Sequence, residues 1–129
     1  VDITITFPLA DRVDASFDGL TVTTDQNGSA PSPFGLFLAS IGTCAGFYVL
    51  RFCRQRGIPT DGVRIRQRAH WNQSTRLVER IDLDIEVPPE FPASYREAVV
   101  RSAQLCAVKK HLESPPEIAV RVGTFLDRR

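Results

Sequence analysis

Between Ser32 and Gly57 the chain carries a stretch that is apolar almost all the way round a helix, and few folds accommodate such an element in 129 residues. Ser32 and Pro33 read as an N-cap and first helical position, and Gly57 followed by Pro59 reads as the stop. Charge enters only in the last turns, with Arg51, Arg54 and Arg56. A helix without a polar face must be covered on every side. A chain of this length, 43% hydrophobic, builds one core and not two, so 1–129 is expected to be a single domain. The pattern therefore predicts a long buried central helix with a second copy of the chain packed against it.

The flanking segments read as antiparallel sheet. Ile3, Ile5 and Phe7 alternate with Thr4 and Thr6, the period-two pattern of a strand with one buried face. Val13 to Phe17 and Leu20 to Thr24 flank Asp18-Gly19, a pair that takes up the positive φ angles of a two-residue hairpin turn. Asp25 to Ser32 is a polar loop that breaks the sheet. After the helix, Val63 and Ile65 and then Ile81, Leu83, Ile85 and Val87 alternate with charged residues, joined through the polar turn Asn72 to Thr75. Ser94 and Glu97 stand at capping-box spacing before a second helix running to about Leu112. Pro115 and Pro116 end it, and Ile118, Val120 and Val122 predict a last strand. The fold class is α+β.

Composition narrows the function. Sixteen basic against fifteen acidic residues leave a net charge of +1, too little field to hold nucleic acid. No uninterrupted apolar run approaches the roughly 18 residues of a membrane span, and the N-terminus has no basic region followed by an apolar core, so the expectation is a cytoplasmic protein with no membrane partner. Three widely spaced cysteines make neither a disulfide framework nor the paired spacing of a zinc site. His70 and His111 stand apart, without paired carboxylates, and no metal or cofactor is predicted. His70 is expected to be a partly buried strand residue, and His111, with Lys109 and Lys110, to solvate a helix C-terminus. Arg64, Arg66 and Arg68 are expected to pair across the sheet with Asp82, Asp84 and Glu86.

Thiol chemistry remains open. Cys44 lies in Ile-Gly-Thr-Cys-Ala-Gly, where small residues let another backbone approach closely, and Cys106 lies on the second helix in Leu-Cys-Ala-Val-Lys-Lys-His-Leu. Cys53 falls half a turn round the helix from Cys44 and is expected only to pack.

The segment Pro-Ser-Pro-Phe-Gly-Leu-Phe-Leu-Ala-Ser-Ile-Gly-Thr-Cys resembles the helix that presents the first cysteine in the OsmC/Ohr superfamily, and the Cys106 segment resembles its second. The order of elements is similar along nearly the whole chain. The resemblance implies antiparallel sheets around paired central helices in an intertwined homodimer, with sites at the subunit interface. It implies a peroxidase in which Cys44 attacks an organic hydroperoxide, Cys106 resolves the sulfenic acid as a disulfide, and a cellular dithiol regenerates the protein. The chemistry requires such a pair, since a thiolate attacks the O–O bond and its sulfenic acid must meet another thiol before over-oxidation. Phe34, Phe37, Phe47 and Tyr48 suit a bulky apolar substrate.

The sequence also departs from the family pattern. The family's glutamate near the start of the first helix, partner of an activating arginine, is absent: that stretch reads Pro33-Phe34-Gly35, with no acidic residue between Asp25 and Asp61. Arg12, on the N-terminal sheet, is the candidate for the arginine. Without the ion pair, Cys44 is expected to have a raised pKa. That expectation supports an alternative reading, a non-peroxidase relative that binds a small hydrophobic ligand in the dimer cleft. The usual proline after the second cysteine is replaced by Ala107.

Overall fold

In a computed structural model, described over residues 1–124, the chain opens with an antiparallel meander of β1 (Thr4–Leu9), β2 (Arg12–Phe17) and β3 (Leu20–Thr24). The last five residues of the expected domain 1–129 lie outside the described residues. Asp18 and Gly19 both have positive φ, 50° and 75°, as the two-residue turn requires. The β1–β2 register shifts between Thr6 and Leu9, where Pro8 has no N–H to give to a ladder. Arg12 and Asp14, two residues apart on one face of β2, form a bidentate pair at 2.9 Å for both contacts. Asp25 then orders the following loop, its carboxylate accepting from the Asn27 N–H and the Ser29 hydroxyl, both at 2.8 Å.

Helix α1 (Pro33–Gln55) starts and stops where the sequence indicates. The Ser32 hydroxyl accepts from the Gly35 N–H at 3.0 Å, and Gly57 closes the end at φ 64°. One face of α1 is buried, through Ile41, Ala45, Val49, Phe52 and Cys53. The opposite side corrects the expectation of a helix buried all round: Phe34, Phe37 and Phe47 are exposed, because the chain supplies enough structure to cover one side only. By length and composition α1 also meets the requirement for crossing a bilayer, a property that scattered small polar residues along it conceal from a count of uninterrupted apolar residues.

β4 (Arg64–Trp71) and β5 (Val78–Glu86) form the second hairpin. Its turn is held by Asn72, whose side-chain oxygen accepts from the Ser74 and Thr75 N–H groups at 2.9 and 3.0 Å. The charged rows meet as expected. Arg64 and Arg66 both reach Glu86, and Arg68 reaches Asp84 at 2.8 Å. These pairs are exposed and screened by solvent, so their effect is on register more than on stability. His70 is exposed, not partly buried, because it sits on the same solvent face, its Nε2 2.8 Å from Asp82.

The second helix departs from expectation. A 3-10 turn at Ala93–Tyr95 leads into α2 (Arg96–Ala103), which has no side-chain cap, so Ser94 and Glu97 do not form the capping box. The helix then breaks at Gln104–Cys106 and resumes as α3 (Ala107–Glu113). Tyr95 stacks edge-on against Phe52 at 5.7 Å, and Val99 is buried with Val49, Phe52, Cys53 and Phe91, which together with the apolar face of β4–β5 make the core. A straight continuation of α2 would leave this surface; the break turns α3 back across α1. The strand expected at Ile118–Val122 does not form. Those side chains are exposed and the segment has no ladder partner, which a strand requires.

Candidate functional site

Cys44 sits on the side of α1 that also carries Phe37, two turns earlier, and it is partly buried. Cys106 comes from the break between α2 and α3 and is 2% exposed. About sixty residues separate the two in sequence, yet the fold brings their thiols near enough to shift one another's ionisation, and both are free. The packing described above causes the meeting: Tyr95 and Val99 fix α2 on the C-terminal half of α1, and the break swings α3 onto the half that holds Cys44.

The two sulfurs are electrostatically unequal. The Val108 N–H is the strongest influence on Cys44 and lowers its pKa; the Cys106 thiol and the Ala107 N–H act in the same direction, against a smaller opposing effect of burial. These N–H groups belong to the first turn of α3, where helical geometry leaves them without intrahelical partners. Cys106 moves the opposite way. Burial raises its pKa first, and its role as donor to Cys44 raises it further, while the Lys109 N–H, which it accepts at 3.4 Å as the N-cap of α3, partly offsets both. Cys44 is thus the thiol that ionises first, and Cys106 keeps its proton and donates it toward the Cys44 sulfur. The expectation of a raised pKa for Cys44 is overturned. Backbone donors and a neighbouring thiol supply the stabilisation that a carboxylate–arginine pair does not provide here.

Arg12 is placed elsewhere in the single chain. Its guanidinium is engaged by Asp14, and it is not among the groups that shift Cys44. The sheet carrying it stands largely apart from α1 of its own chain. Cys53 is fully buried and its thiol is pushed up by that burial, consistent with packing. Of the four aromatic residues expected around Cys44, Phe37 lines an apolar cleft of about 510 Å³ with Val108, Leu112, Pro115 and Ile118. Phe34 packs on Trp71 with ring centroids 5.5 Å apart, and Phe47 on Tyr48 at 5.4 Å.

A second cavity, also about 510 Å³, lies on the Cys106 side between α1, the β4–β5 hairpin and α2, bounded by Ile41, Ala45, Ile81, Leu83 and Val100. The Gln67 side chain reaches from β4 to α1 and donates to the Leu38 carbonyl at 2.8 Å. Sequence reading missed both Gln67 and the α3 backbone. The first has no local signature. For the second a signal existed, since a proline habitually following the second cysteine marks a first helical position, and Ala107 occupies that position here. Among the described residues, no group of three or more His, Cys, Asp and Glu side chains comes together as a metal site would require.

Comparison with known proteins places this geometry in a family context. The sequence profile described as OsmC-like protein matches residues 26–121. No curated protein matches the chain. A solved structure from Psychrobacter arcticus, named for an osmotic stress induced and detoxification response, is similar with a TM-score of 0.70 at 20% identity, covering 84% of this chain and 85% of that one. An OsmC-like protein from Mycoplasma pneumoniae gives a TM-score of 0.68 at 15% identity, over 88% and 87%. The organic hydroperoxide resistance protein of Bacillus subtilis gives 0.50 at 15%, over 86% and 90%. At these identities the likeness is one of fold.

Proposed function

We propose that this chain, which belongs to the OsmC-like protein family, acts as a thiol-dependent peroxidase that reduces organic hydroperoxides through Cys44 and Cys106. The observation that carries the reading is the contact between the two free thiols, with Cys44 biased toward the thiolate and Cys106 toward the protonated form. The Cys44 thiolate attacks the distal oxygen of ROOH, the O–O bond breaks, and sulfenic acid and alkoxide result. The Cys106 sulfur then attacks the sulfenic sulfur, expelling water as the disulfide forms. A cellular dithiol returns both to thiols by exchange. The apolar cleft against Phe37 and Val108 suits a hydroperoxide with a hydrocarbon body.

The working unit in this reading is a homodimer. Among the described residues, three apolar surfaces are uncovered in the single chain: Ile5, Phe7 and Leu9 on β1; Phe34, Phe37 and Phe47 on α1; and Ile118, Val120 and Val122 after α3. Covering them with a second copy removes apolar surface from water, which is the main favourable contribution to association.

The test is intact mass and thiol counting after fully reduced protein meets stoichiometric tert-butyl hydroperoxide. The expected result is loss of two thiols with a decrease of about 2 Da, Cys53 remaining free. Cys44→Ser should abolish the change, and Cys106→Ser should leave a sulfenic acid that a dimedone probe captures. Survival of all three thiols would refute the reading. It would favour the second one, a binding protein for a small hydrophobic ligand, for which the cavity between Ile41, Ile81, Leu83 and Val100 is the supporting observation.

A further inference from the structure

The β4–β5 hairpin turns an apolar face toward the helices without closing on them. Ile81, Leu83 and Ile85 on β5 are only half-buried, and the space between them, α1 and the α2–α3 break is the cavity of about 510 Å³ that reaches Cys106. Such a volume falls within the roughly 300–1,000 Å³ of small-molecule sites. The most buried part of its wall is hydrocarbon, from Ile41 and Ala45 on α1. Among the described residues no buried side-chain nitrogen or oxygen is left without a hydrogen-bond partner, so the interior holds no polar group free to meet a ligand. A polar body placed there would lose its water and gain no bonds. Polar side chains stand only at the exposed edge of the cavity, and they are unequal. Asp84 is held by Arg68 at 2.8 Å. Lys109 has a looser tie, to Glu113 at 3.5 Å, with both side chains at least half exposed and Glu113 outside the cavity wall. An exposed pair of that kind contributes little and is readily exchanged for another carboxylate. Gln104, also exposed on the wall, offers a side-chain amide as a second donor.

We propose that this cavity binds a single-chain alkyl carboxylate, its hydrocarbon against Ile41, Ile65 and Ile81 and its head group at the Lys109 ammonium and the Gln104 amide. This rests on the ligand-binding reading of the cavity and gives it a ligand class; it does not depend on hydroperoxide turnover, since binding to reduced protein needs no oxidant. An apolar interior with a cation at its exposed edge selects a molecule that is apolar along its body and anionic at one end. A neutral alcohol of the same length fills the interior equally well and gains nothing from the ammonium charge. A zwitterion or a sugar has no partner for its polar body inside.

The experiment is titration of the fully reduced, full chain, labelled at its isoleucine δ-methyl groups, with octanoate and separately with 1-octanol, followed by NMR and calorimetry. The octanoate chain should show nuclear Overhauser contacts to the methyl groups of Ile41, Ile65, Ile81 and Ile85. Affinity should rise about fourfold for each methylene added from hexanoate to octanoate. Lys109→Gln should weaken octanoate by about two- to fivefold and leave octanol unchanged. Val100→Trp, at a half-exposed position on the wall, should weaken both by filling the mouth. Octanol binding in the cavity with octanoate indifferent to Lys109→Gln would overturn the carboxylate assignment and leave the ligand-binding reading standing. Binding of neither molecule would overturn both. Contacts to Ile5 or Ile118 in place of the cavity isoleucines would put the ligand on an exposed apolar surface, and contacts to the cavity methyl groups from a second, differently labelled copy would mean that the dimer itself fills the space; each result overturns the proposal.

Discussion

The clamp from Gln67 to the Leu38 carbonyl holds β4 against the turn of α1 that leads into Cys44, and it exists because residue 42 is glycine. A Cβ built on Gly42 would stand 2.2 Å from the Gln67 side-chain oxygen. That atom is the far end of a flexible side chain, so in Gly42→Ala it swings out and the bond to Leu38 is lost, while the Leu38 carbonyl keeps its helical partner. Losing such a bond costs about 1 kcal/mol. Replacing a mid-helix glycine with alanine gains about the same, roughly 0.8–1 kcal/mol. Gly42→Ala alone should therefore shift stability by less than about 0.5 kcal/mol. Gln67→Ala alone should cost about 1 kcal/mol. On the Gln67→Ala background there is no side chain to displace, and Gly42→Ala should then stabilise by about 1 kcal/mol. The coupling of about 1 kcal/mol is the measurable quantity. Urea unfolding of the four proteins at one fixed protomer concentration reads it, since any dimer makes stability concentration-dependent. An identical effect of Gly42→Ala on both backgrounds would refute the clamp.

Three further outcomes are expected. Iodoacetamide should label Cys44 in native protein with a pH midpoint below that of a free cysteine, about 8.5, because the Val108 N–H and the Cys106 thiol favour the thiolate, and should leave Cys53 untouched until unfolding; a midpoint at or above that value would count against the site. Asp14 and Asp25 have carboxyl pKa values lowered by Arg12 and by the Asn27 N–H respectively, so their contribution to the N-terminal sheet is complete above the ordinary carboxylate range and disappears as pH falls through their folded values. Amide exchange in β2 and β3 should accelerate on that acid limb in wild type, and Arg12→Ala should remove most of the Asp14 part of that pH dependence. Sedimentation should show a dimer at micromolar concentration, and Phe7→Asp with Val120→Asp should shift it toward monomer; a monomeric wild type would remove the proposed assembly.

What the site achieves chemically follows from its donors. A thiolate half inside protein needs compensating charge or hydrogen bonds, and here two backbone N–H groups and one thiol provide them without an acidic or basic side chain. Such donors cannot be titrated away over the physiological range, which makes the ionisation of Cys44 depend on α3 staying in place. Anything that frays the seven residues of α3 should therefore reduce thiol reactivity as well as local order.

Features governed by neighbours in sequence are legible in the chain itself. Ser32 and Pro33 start α1, Gly57 ends it, Asp18 and Gly19 turn the first hairpin, and the arginine and carboxylate rows face one another on β4 and β5. Each depends on forces that act within a turn or across one hairpin, where residue type alone determines the available backbone conformation and pairing. The resemblance carried by the two cysteine segments likewise indicates the fold. Tertiary structure decides the rest. Gln104, Leu105 and Cys106 contain no glycine or proline, so the break that sends α3 across α1 comes from the docking of Tyr95 and Val99, not from a local stop signal. With that break come the meeting of the cysteines and the N–H groups that lower the Cys44 pKa, neither of which a pattern of side chains records. Ile118 to Val122 has the alternation of a strand and no strand beside it, and α1 has the composition of a buried helix with one face open. In both cases sequence registers a preference for burial or pairing, but only the arrangement of surfaces in space determines whether a partner is there to satisfy it.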